Sequence, residues 1–84
     1  MASYRVFIKP SAVKEIEVPK RERRRIVMKI EGLSQDPRPA GSEKLSGRER
    51  YRVRQGSYRV IYSIDDEGKA VLVFKVGHRR NVYR

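Results

Sequence analysis

The stretch YRVRQGSYRVIYSIDDEGKAVLVFKVG, residues 51–77, decides the fold of this chain. Apolar and polar residues alternate through most of it, which is typical of strands with one buried face. Gln55-Gly56 and residues 65–68 interrupt the alternation with the residue types that close tight turns. The last run, AVLVFKV (residues 70–76), is apolar almost throughout, which predicts a central strand buried on both faces. The stretch therefore predicts three antiparallel strands.

The first half of the chain predicts one strand and two helices. YRVFIK (residues 4–9) alternates like a strand, and Pro10 ends it. Ser11 is a suitable N-cap for a short helix through AVKEIE (residues 12–17). KRERRRIVMKIEGLS (residues 20–34) follows a proline and has an apolar stripe that predicts the buried side of an amphipathic helix. The stripe consists of Ile26, Ile30 and Leu33.

Together these elements predict an α+β fold with the order β-α-α-β-β-β. Two N-terminal helices are expected to pack on one face of a small, mostly antiparallel sheet, in a single domain spanning residues 1–84. The chain has no cysteine, so neither a disulfide nor a thiolate metal site is expected. It also has no apolar run as long as a signal peptide or a membrane span. We therefore expect a cytoplasmic protein without a membrane partner.

Positive charge is the strongest feature of the composition. Lys and Arg number 21 against 10 Asp and Glu, which gives a net charge of +11. Arginine is the more frequent of the two cations, and its planar guanidinium can bind a phosphate or carboxylate through two parallel hydrogen bonds. The composition leaves three interpretations open: a solvated basic surface, a polyanionic ligand, or an acidic partner protein that covers the charge.

The first predicted hairpin places arginines together. With a two-residue turn at Gln55-Gly56, Arg59 lies opposite Arg52. Alternation then puts Arg52, Arg54 and Arg59 on the open face, and the neighbouring valines and tyrosines on the helix-covered face. Like charges directly across a strand pair are unfavourable. The arrangement predicts either side chains that splay into water or an anion site in which a bound phosphate relieves the repulsion.

The C-terminal stretch VGHRRNVYR, residues 76–84, adds a second set of candidate functional groups. Gly77 is expected to allow a sharp turn at the end of the last strand, from which Arg79 and Tyr83 reach the open face. Histidine is the side chain whose ordinary pKa lies near neutrality, so His78 is the candidate for proton transfer. The alternative for this histidine is a purely structural role.

These residue types suit the cleavage of RNA by its own 2′-hydroxyl group. Arginines can orient the phosphate and stabilise the charge that develops on it during the reaction. Tyr83 can stack on a base or take part in proton transfer. The sequence has one histidine, no cysteine and no glycine-rich phosphate loop, so we expect neither a metal nor a cofactor.

The strand-rich half of the chain carries a family likeness. The runs YRVRQGSYRVIYSI (residues 51–64) and VLVFKVGHRRNVYR (residues 71–84) resemble the RelE branch of the RelE/ParE toxin superfamily. YRVFIKPSAVKEI (residues 4–16) and IEGLSQDPRP (residues 30–39) resemble that family's opening strand and the end of its second helix. The resemblance implies a RelE-like fold and the toxin of a type II toxin–antitoxin system.

The resemblance also implies an activity and partners. Toxins of this branch cleave messenger RNA in the ribosomal A site, and they are neutralised by a cognate antitoxin with which they often co-repress their own operon. The implied partners are an antitoxin that contributes an acidic or amphipathic segment, and the ribosome with its messenger RNA. Operator DNA is an implied partner only through the antitoxin.

Individual residues match the family pattern. Arg59 and Arg79 match arginines that bind the phosphate and the transition state, and Tyr83 matches a tyrosine near the end of the pattern. Arg52 and Arg54 stand where family members often have lysines, one of which has been assigned the role of general base. Arginine cannot lose its proton near neutral pH, so proton abstraction is left to the histidine, the tyrosine or a ribosomal group.

Two other functions stay open on the sequence. A ParE-like toxin would share the fold but would inhibit DNA gyrase and lack the candidate catalytic set. An inactive homologue would act only as a module that binds nucleic acid or antitoxin. A nucleic-acid-binding module predicts stacking aromatic side chains on the exposed face. Tyr58 and Tyr62 are instead expected on the helix-covered face, which argues against such a module.

Overall fold

The computed structural model describes residues 3–16, 20–45 and 49–78, which form two helices and one sheet. The elements are β1 (Arg5–Ile8), α1 (Pro10–Glu15), α2 (Lys20–Gly32), β2 (Glu43–Lys44), β3 (Tyr51–Gln55), β4 (Tyr58–Asp65) and β5 (Ala70–His78). The sheet has five strands in the order β1-β5-β4-β3-β2. β1 runs parallel to β5, and the other neighbours are antiparallel. The predicted α+β class and mostly antiparallel sheet are confirmed, whereas the two-residue strand β2 was not predicted.

The apolar stripe of α2 is the centre of the core. Ile26, Ile30 and Leu33 are all buried, as predicted, because they recur on one side of the helix and that side packs on the sheet. Burial of each such side chain contributes roughly 1.5–3 kcal/mol. Their partners on the helix-covered face of the sheet are Val53, Val60, Tyr62, Val71, Val73 and Val76.

Tyr62 is a polar residue at the bottom of this core. Its side chain is fully buried, and its hydroxyl donates a hydrogen bond of 2.7 Å to the carbonyl oxygen of Pro37. Burial raises the pKa of Tyr62 to about 12, so the phenol stays protonated and remains a donor. The bond fixes the segment that follows α2 against the sheet.

The strand β5 is internal in the sheet but is covered on only one face. Val71, Val73 and Val76 are buried on the helix side, whereas Leu72 and Phe74 are only half-buried. The prediction of burial on both faces was therefore wrong. An apolar run predicts that a strand is buried, but it does not predict which elements pack on each of its faces. Here α1 and α2 both pack on the same face.

The short helix α1 begins at Pro10 and not after a serine cap. Lys9 occupies the N-cap position without a side-chain hydrogen bond, and Pro10 takes the first helical position, where its fixed φ and missing N–H are harmless. The predicted cap, Ser11, thus lies inside the first turn. At the C-terminal end of α1, the Glu15 carboxylate accepts a hydrogen bond of 3.0 Å from the backbone N–H of Val76. Val76 lies in the part of β5 that extends past its pairing with β1.

An exposed ion pair joins the segment after α2 to the turn between β4 and β5. Arg38 Nη2 donates to Asp66 Oδ2 at 2.9 Å, and the Tyr4 hydroxyl donates to Asp66 Oδ1 at 2.7 Å. The hydrogen bonds from Arg38, then that from Tyr4, lower the pKa of Asp66 to about 2.

Within the described ranges, no helix is long and apolar enough to cross a membrane.

Candidate active site

The hairpin of β3 and β4 turns at Gly56-Ser57 and not at the predicted Gln55-Gly56. Gln55 pairs with Tyr58, and Gly56 has a φ of +61°. A positive φ at the first of the two turn residues is the position that a type II′ turn assigns to glycine. The prediction put the glycine second, as in a type I′ turn. The sequence identifies the glycine but does not say which of the two positions it takes.

The corrected turn changes the cross-strand pairs and leaves every side chain on its predicted face. Arg54 lies opposite Arg59, and Arg52 lies opposite Ile61. The predicted pairing of Arg52 with Arg59 was wrong by two residues. Because side chains alternate with a period of two, a shift of two residues keeps them on the same faces. Arg52, Arg54 and Arg59 therefore share the open face, as predicted.

These three arginines line a cleft of about 270 Å³ together with Gly41 and Glu43. Arg54 and Arg59, which lie opposite one another in this cleft, both carry a positive charge, so they repel across the two strands. Among the described residues, Nη1 of Arg59 is buried and has no hydrogen-bond partner. A buried donor without an acceptor is destabilising, and a charged one more so. The cleft therefore presents a cationic donor that an anionic ligand would satisfy.

One carboxylate lies among these cations. Arg52 Nη2 donates to Glu43 Oε2 at 2.7 Å. This hydrogen bond lowers the pKa of Glu43, and the charges of Arg54 and Arg59 lower it further, so the carboxylate is ionised and is a weak base. Glu43 holds Arg52 in place and occupies an anion position in the cleft. Sequence reasoning missed it because a two-residue strand leaves no periodic signal.

Gly77 lies beside the arginine cleft, within β5. It pairs with Arg59, and the strand continues through it to His78. The predicted sharp turn at Gly77 was therefore wrong, and its φ is not positive. A glycine in a strand leaves space for the close approach of another group. Gly77 therefore contributes no side chain next to Arg59.

His78 lies on the other face of the sheet from the three arginines. It pairs with Tyr58, and the two rings meet edge to face with centroids 5.7 Å apart. It lines a separate pocket of about 260 Å³ between the N-terminal half of α2 and the hairpin turn, whose lining also includes Glu22 and Arg25. The described structure thus brings Arg52, Arg54 and Arg59 together and does not bring the histidine to them.

The other two predicted site residues, Arg79 and Tyr83, lie outside the described residues. Within the ranges that are described, no group of three or more His, Cys, Asp or Glu side chains is placed to hold a metal ion. The described part of the site is therefore a set of three arginines with one carboxylate, on the open face of a hairpin whose other face is core.

Comparison with known proteins identifies relatives with this architecture. Toxin RelG of Mycobacterium tuberculosis is 38% identical over 55 residues, a match that spans 62% of this chain and 61% of RelG. The archaeal RelE–RelB complex from Pyrococcus horikoshii contains a chain that is 33% identical, with a TM-score of 0.84, covering 95% of this chain and 99% of that one. For the toxin–antitoxin complex RelBE2 of Mycobacterium tuberculosis, identity is 28%, the TM-score is 0.82, and coverage is 93% and 100%.

A family match agrees with these structures. Residues 6–83 match the family described as ParE toxin of type II toxin-antitoxin system, parDE. This match includes both helices, the arginine cleft and every strand residue of the described sheet except Arg5. The chain therefore belongs to the ParE toxin family of type II toxin–antitoxin systems, and its structural neighbours place it in the RelE branch of the RelE/ParE superfamily.

Proposed function

We propose that this toxin is a ribosome-dependent endoribonuclease that cleaves messenger RNA in the A site and so inhibits translation. The observation that carries the proposal is the arginine cleft, in which Arg54 faces Arg59 and the buried Nη1 of Arg59 has no hydrogen-bond partner among the described residues. A phosphate in this cleft would relieve the repulsion and accept the free hydrogen bond. Like charges across a strand pair and a buried donor without an acceptor both destabilise the fold, so selection for stability alone does not explain this arrangement.

The chemistry uses the 2′-hydroxyl of the substrate. Its oxygen attacks the adjacent phosphorus and loses its proton, the bond from phosphorus to the 5′ oxygen breaks, and the leaving oxygen takes up a proton. The products carry a 2′,3′-cyclic phosphate and a 5′-hydroxyl. Arg52, Arg54 and Arg59 would position the phosphate and stabilise the negative charge that grows on it, a role that Arg79 would share.

Proton transfer explains why the ribosome is needed. Arginine does not act as a base near neutral pH, and the lowered pKa of Glu43 makes that carboxylate a poor one. In the described part of the chain, His78 lies on the opposite face from the cleft. We therefore assign proton transfer to Tyr83 or to a group of the ribosome, which would also hold the RNA in an in-line geometry.

A cognate antitoxin is the proposed regulator. The net charge of +11 and the open cationic face favour an antitoxin that folds an acidic or amphipathic segment on this toxin. The neighbours from Pyrococcus horikoshii and Mycobacterium tuberculosis are themselves toxin–antitoxin complexes. Contact with operator DNA is proposed only through the antitoxin.

Cleavage assays test the activity. Purified toxin is expected to cut messenger RNA on programmed ribosomes within the A-site codon, and to leave the same RNA uncut in the absence of ribosomes. In cells, induction should create new messenger RNA 5′ ends in phase with the reading frame. Efficient cutting of free RNA, or new ends without any relation to the frame, would contradict the proposal.

A second function is favoured by one observation, the ParE description of the matching family. In this alternative the chain inhibits DNA gyrase and has no ribonuclease activity. A supercoiling assay with purified gyrase separates the two proposals. Inhibition of gyrase together with intact messenger RNA on programmed ribosomes would favour the gyrase inhibitor.

A further inference from the structure

Exposed aromatic rings extend the open face beyond the arginine cleft. Phe7 in β1 is 51% exposed, and it pairs with Leu72 on the face opposite to the one that α1 and α2 cover. Phe74 in β5 is half-buried and is also absent from the core cluster. Neither ring was considered as a functional residue from the sequence. Because about half of the Phe7 surface is exposed and the residue lies outside the core cluster, its ring is accessible to a ligand.

Cations lie against both of these rings. The guanidinium carbon of Arg50 is 4.0 Å from the centroid of the Phe74 ring, and Lys9 Nζ is 5.9 Å from the same centroid. The guanidinium carbon of Arg5 is 6.0 Å from the centroid of Phe7. At 4.0 Å from the ring centroid, the Arg50 guanidinium makes a close cation–π contact that holds it against the Phe74 ring.

Arg50 connects the rings to the cleft. β3 and β5 are separated by β4, so about 10 Å lie between them, and the long side chain of Arg50 must cross the open face of β4 to reach Phe74. Arg50 also precedes Arg52 by two residues, which places their Cα atoms about 7 Å apart on one face. The rings and the cleft therefore belong to one continuous surface.

Most of the charged side chains on this surface are cationic. Rings and cations alternate along the exposed side of β1, where Phe7 lies between Arg5 and Lys9. Two carboxylates, Glu43 and Asp65, lie at outward strand positions near the margins of the described surface. Among the described residues, the cations at outward positions of this face include Arg5, Lys9, Arg50, Arg52, Arg54 and Arg59.

We propose that the open face is a track for single-stranded RNA that leads into the arginine cleft. A base stacks on Phe7, a second base stacks on the Arg50 guanidinium, and the flanking phosphates contact Arg5 and Lys9. This is the sheet-face mode of recognition, in which exposed rings stack successive bases and cations follow the backbone. The proposal rests on RNA being the substrate, as set out above.

The alternation of rings and cations favours RNA over an acidic amphipathic helix as the occupant. A helix buries its apolar side in a continuous apolar groove, with charges restricted to the rim. Here Arg5, Phe7 and Lys9 follow one another on the same side of one strand, and Arg50 lies across the middle of the face. Bases and phosphates alternate along a nucleic acid strand in the same way.

The test measures RNA binding without ribosomes. Fluorescence anisotropy with a labelled oligoadenylate of about 12 nucleotides reports the affinity of the wild-type toxin and of Phe7→Leu. Leucine keeps an apolar side chain but removes the ring, so affinity should fall about fivefold. An oligomer of the same length without bases should bind both proteins equally. Met28→Leu changes an apolar residue that is 63% exposed on α2, and it should bind like wild type.

A second pair of variants tests the cation. Arg50→Ala and Arg24→Ala remove the same charge from the sheet face and from α2, respectively. Arg50→Ala should weaken binding of oligoadenylate because it removes the group on which a base stacks, whereas Arg5→Ala should reduce the slope of log affinity against log salt by about 0.7, the value for one phosphate contact on a single strand. Arg24→Ala should leave that slope unchanged. Arg50→Lys, which keeps the charge but not the planar group, should lose affinity for oligoadenylate and not for the abasic oligomer.

Each outcome decides the matter. The track is overturned if wild-type toxin does not bind the oligomer, or if Phe7→Leu and Arg50→Lys bind it like wild type. It is also overturned if these variants lose affinity only for the antitoxin, which would assign the face to that partner. Because ribosomes are absent from this assay, binding that depends on Phe7 without cleavage on ribosomes would contradict only the proposed activity.

Discussion

The two faces of the sheet differ in how their polar groups are satisfied. On the helix-covered face, the hydroxyl of the buried Tyr62 donates to Pro37, and its neighbours are apolar. On the open face, Arg54 and Arg59 repel one another and the buried Nη1 of Arg59 has no partner among the described residues. The hydroxyl of Tyr62 is thus paired within the protein, whereas the described part of the open face holds a buried cationic donor without an acceptor. Stability and function should therefore respond to different substitutions.

The largest effect is expected from the covered face. Ile26→Ala removes most of a fully buried side chain at the centre of the core, and it should lower the free energy of unfolding by about 2–5 kcal/mol. Urea denaturation measures this loss, and toxicity should fall with the folded population. Val27→Ala, at an exposed neighbouring position, should change stability by less than about 0.5 kcal/mol. Equal losses in the two variants would contradict the placement of the core.

A comparable effect on rate, without an effect on folding, is expected from the open face. Arg59→Ala should slow single-turnover cleavage on programmed ribosomes about a hundredfold or more, because it removes a group that meets the developing charge. Growth arrest should be abolished while the unfolding midpoint and antitoxin binding are retained. We expect the same of Arg79→Ala. Arg24→Ala, on α2, should stay toxic, and a wild-type rate in Arg59→Ala would remove the cleft from the active site.

The carboxylate in the cleft offers a test of the opposite sign. Glu43→Gln keeps the shape of the side chain and removes its charge, so binding of an RNA oligomer should tighten about twofold to fivefold at low salt. Raising the salt concentration should reduce the gain. Glu49→Gln removes an exposed carboxylate that pairs with Lys44, outside the cleft, and it serves as the control. Weaker binding by Glu43→Gln would mean that positioning Arg52 outweighs the repulsion of phosphate.

The smallest effect concerns the ion pair that closes the other end of the sheet. The pKa of Asp66 is lowered from 3.8 to about 2 in the folded protein, chiefly by Arg38, so folding favours its ionised form. This contribution is fully present above about pH 4 and is lost as the pH falls towards 2. Urea midpoints of wild type and Asp66→Asn should therefore converge on acidification. A difference between the urea midpoints of wild type and Asp66→Asn that stays constant with pH would contradict the assignment.

Local patterns were sufficient for both helices, for the four longer strands, and for the buried faces of α2 and of the β3–β4 hairpin. The spacing of Ile26, Ile30 and Leu33 depends only on the helical repeat, so the buried side of α2 was predictable from adjacent residues. Strand alternation likewise assigned Arg52, Arg54 and Arg59 to one face before any partner strand was known.

Choices between nearly equivalent local arrangements were not predictable. Gly56 suits either position of a two-residue turn, and the position it takes sets which arginine faces Arg59. Pro10 and Ser11 both suit the start of a helix. The helix α1 begins at Pro10, because the fixed φ of proline already fits the first helical turn. The strand β2 exists only because its two residues meet β3, so Glu43 has no local signal that places it beside Arg52.

The sequence by itself determined the α+β class, the buried stripe and the shared face of the hairpin arginines, because each follows from a repeat set by backbone geometry. Only the tertiary structure decided which side chains from distant parts of the sequence lie next to one another. It placed Glu43 among the arginines, His78 on the opposite face from them, and Phe7 on an uncovered edge. These contacts join residues distant in the chain, and they depend on strand order and register, which no local repeat encodes.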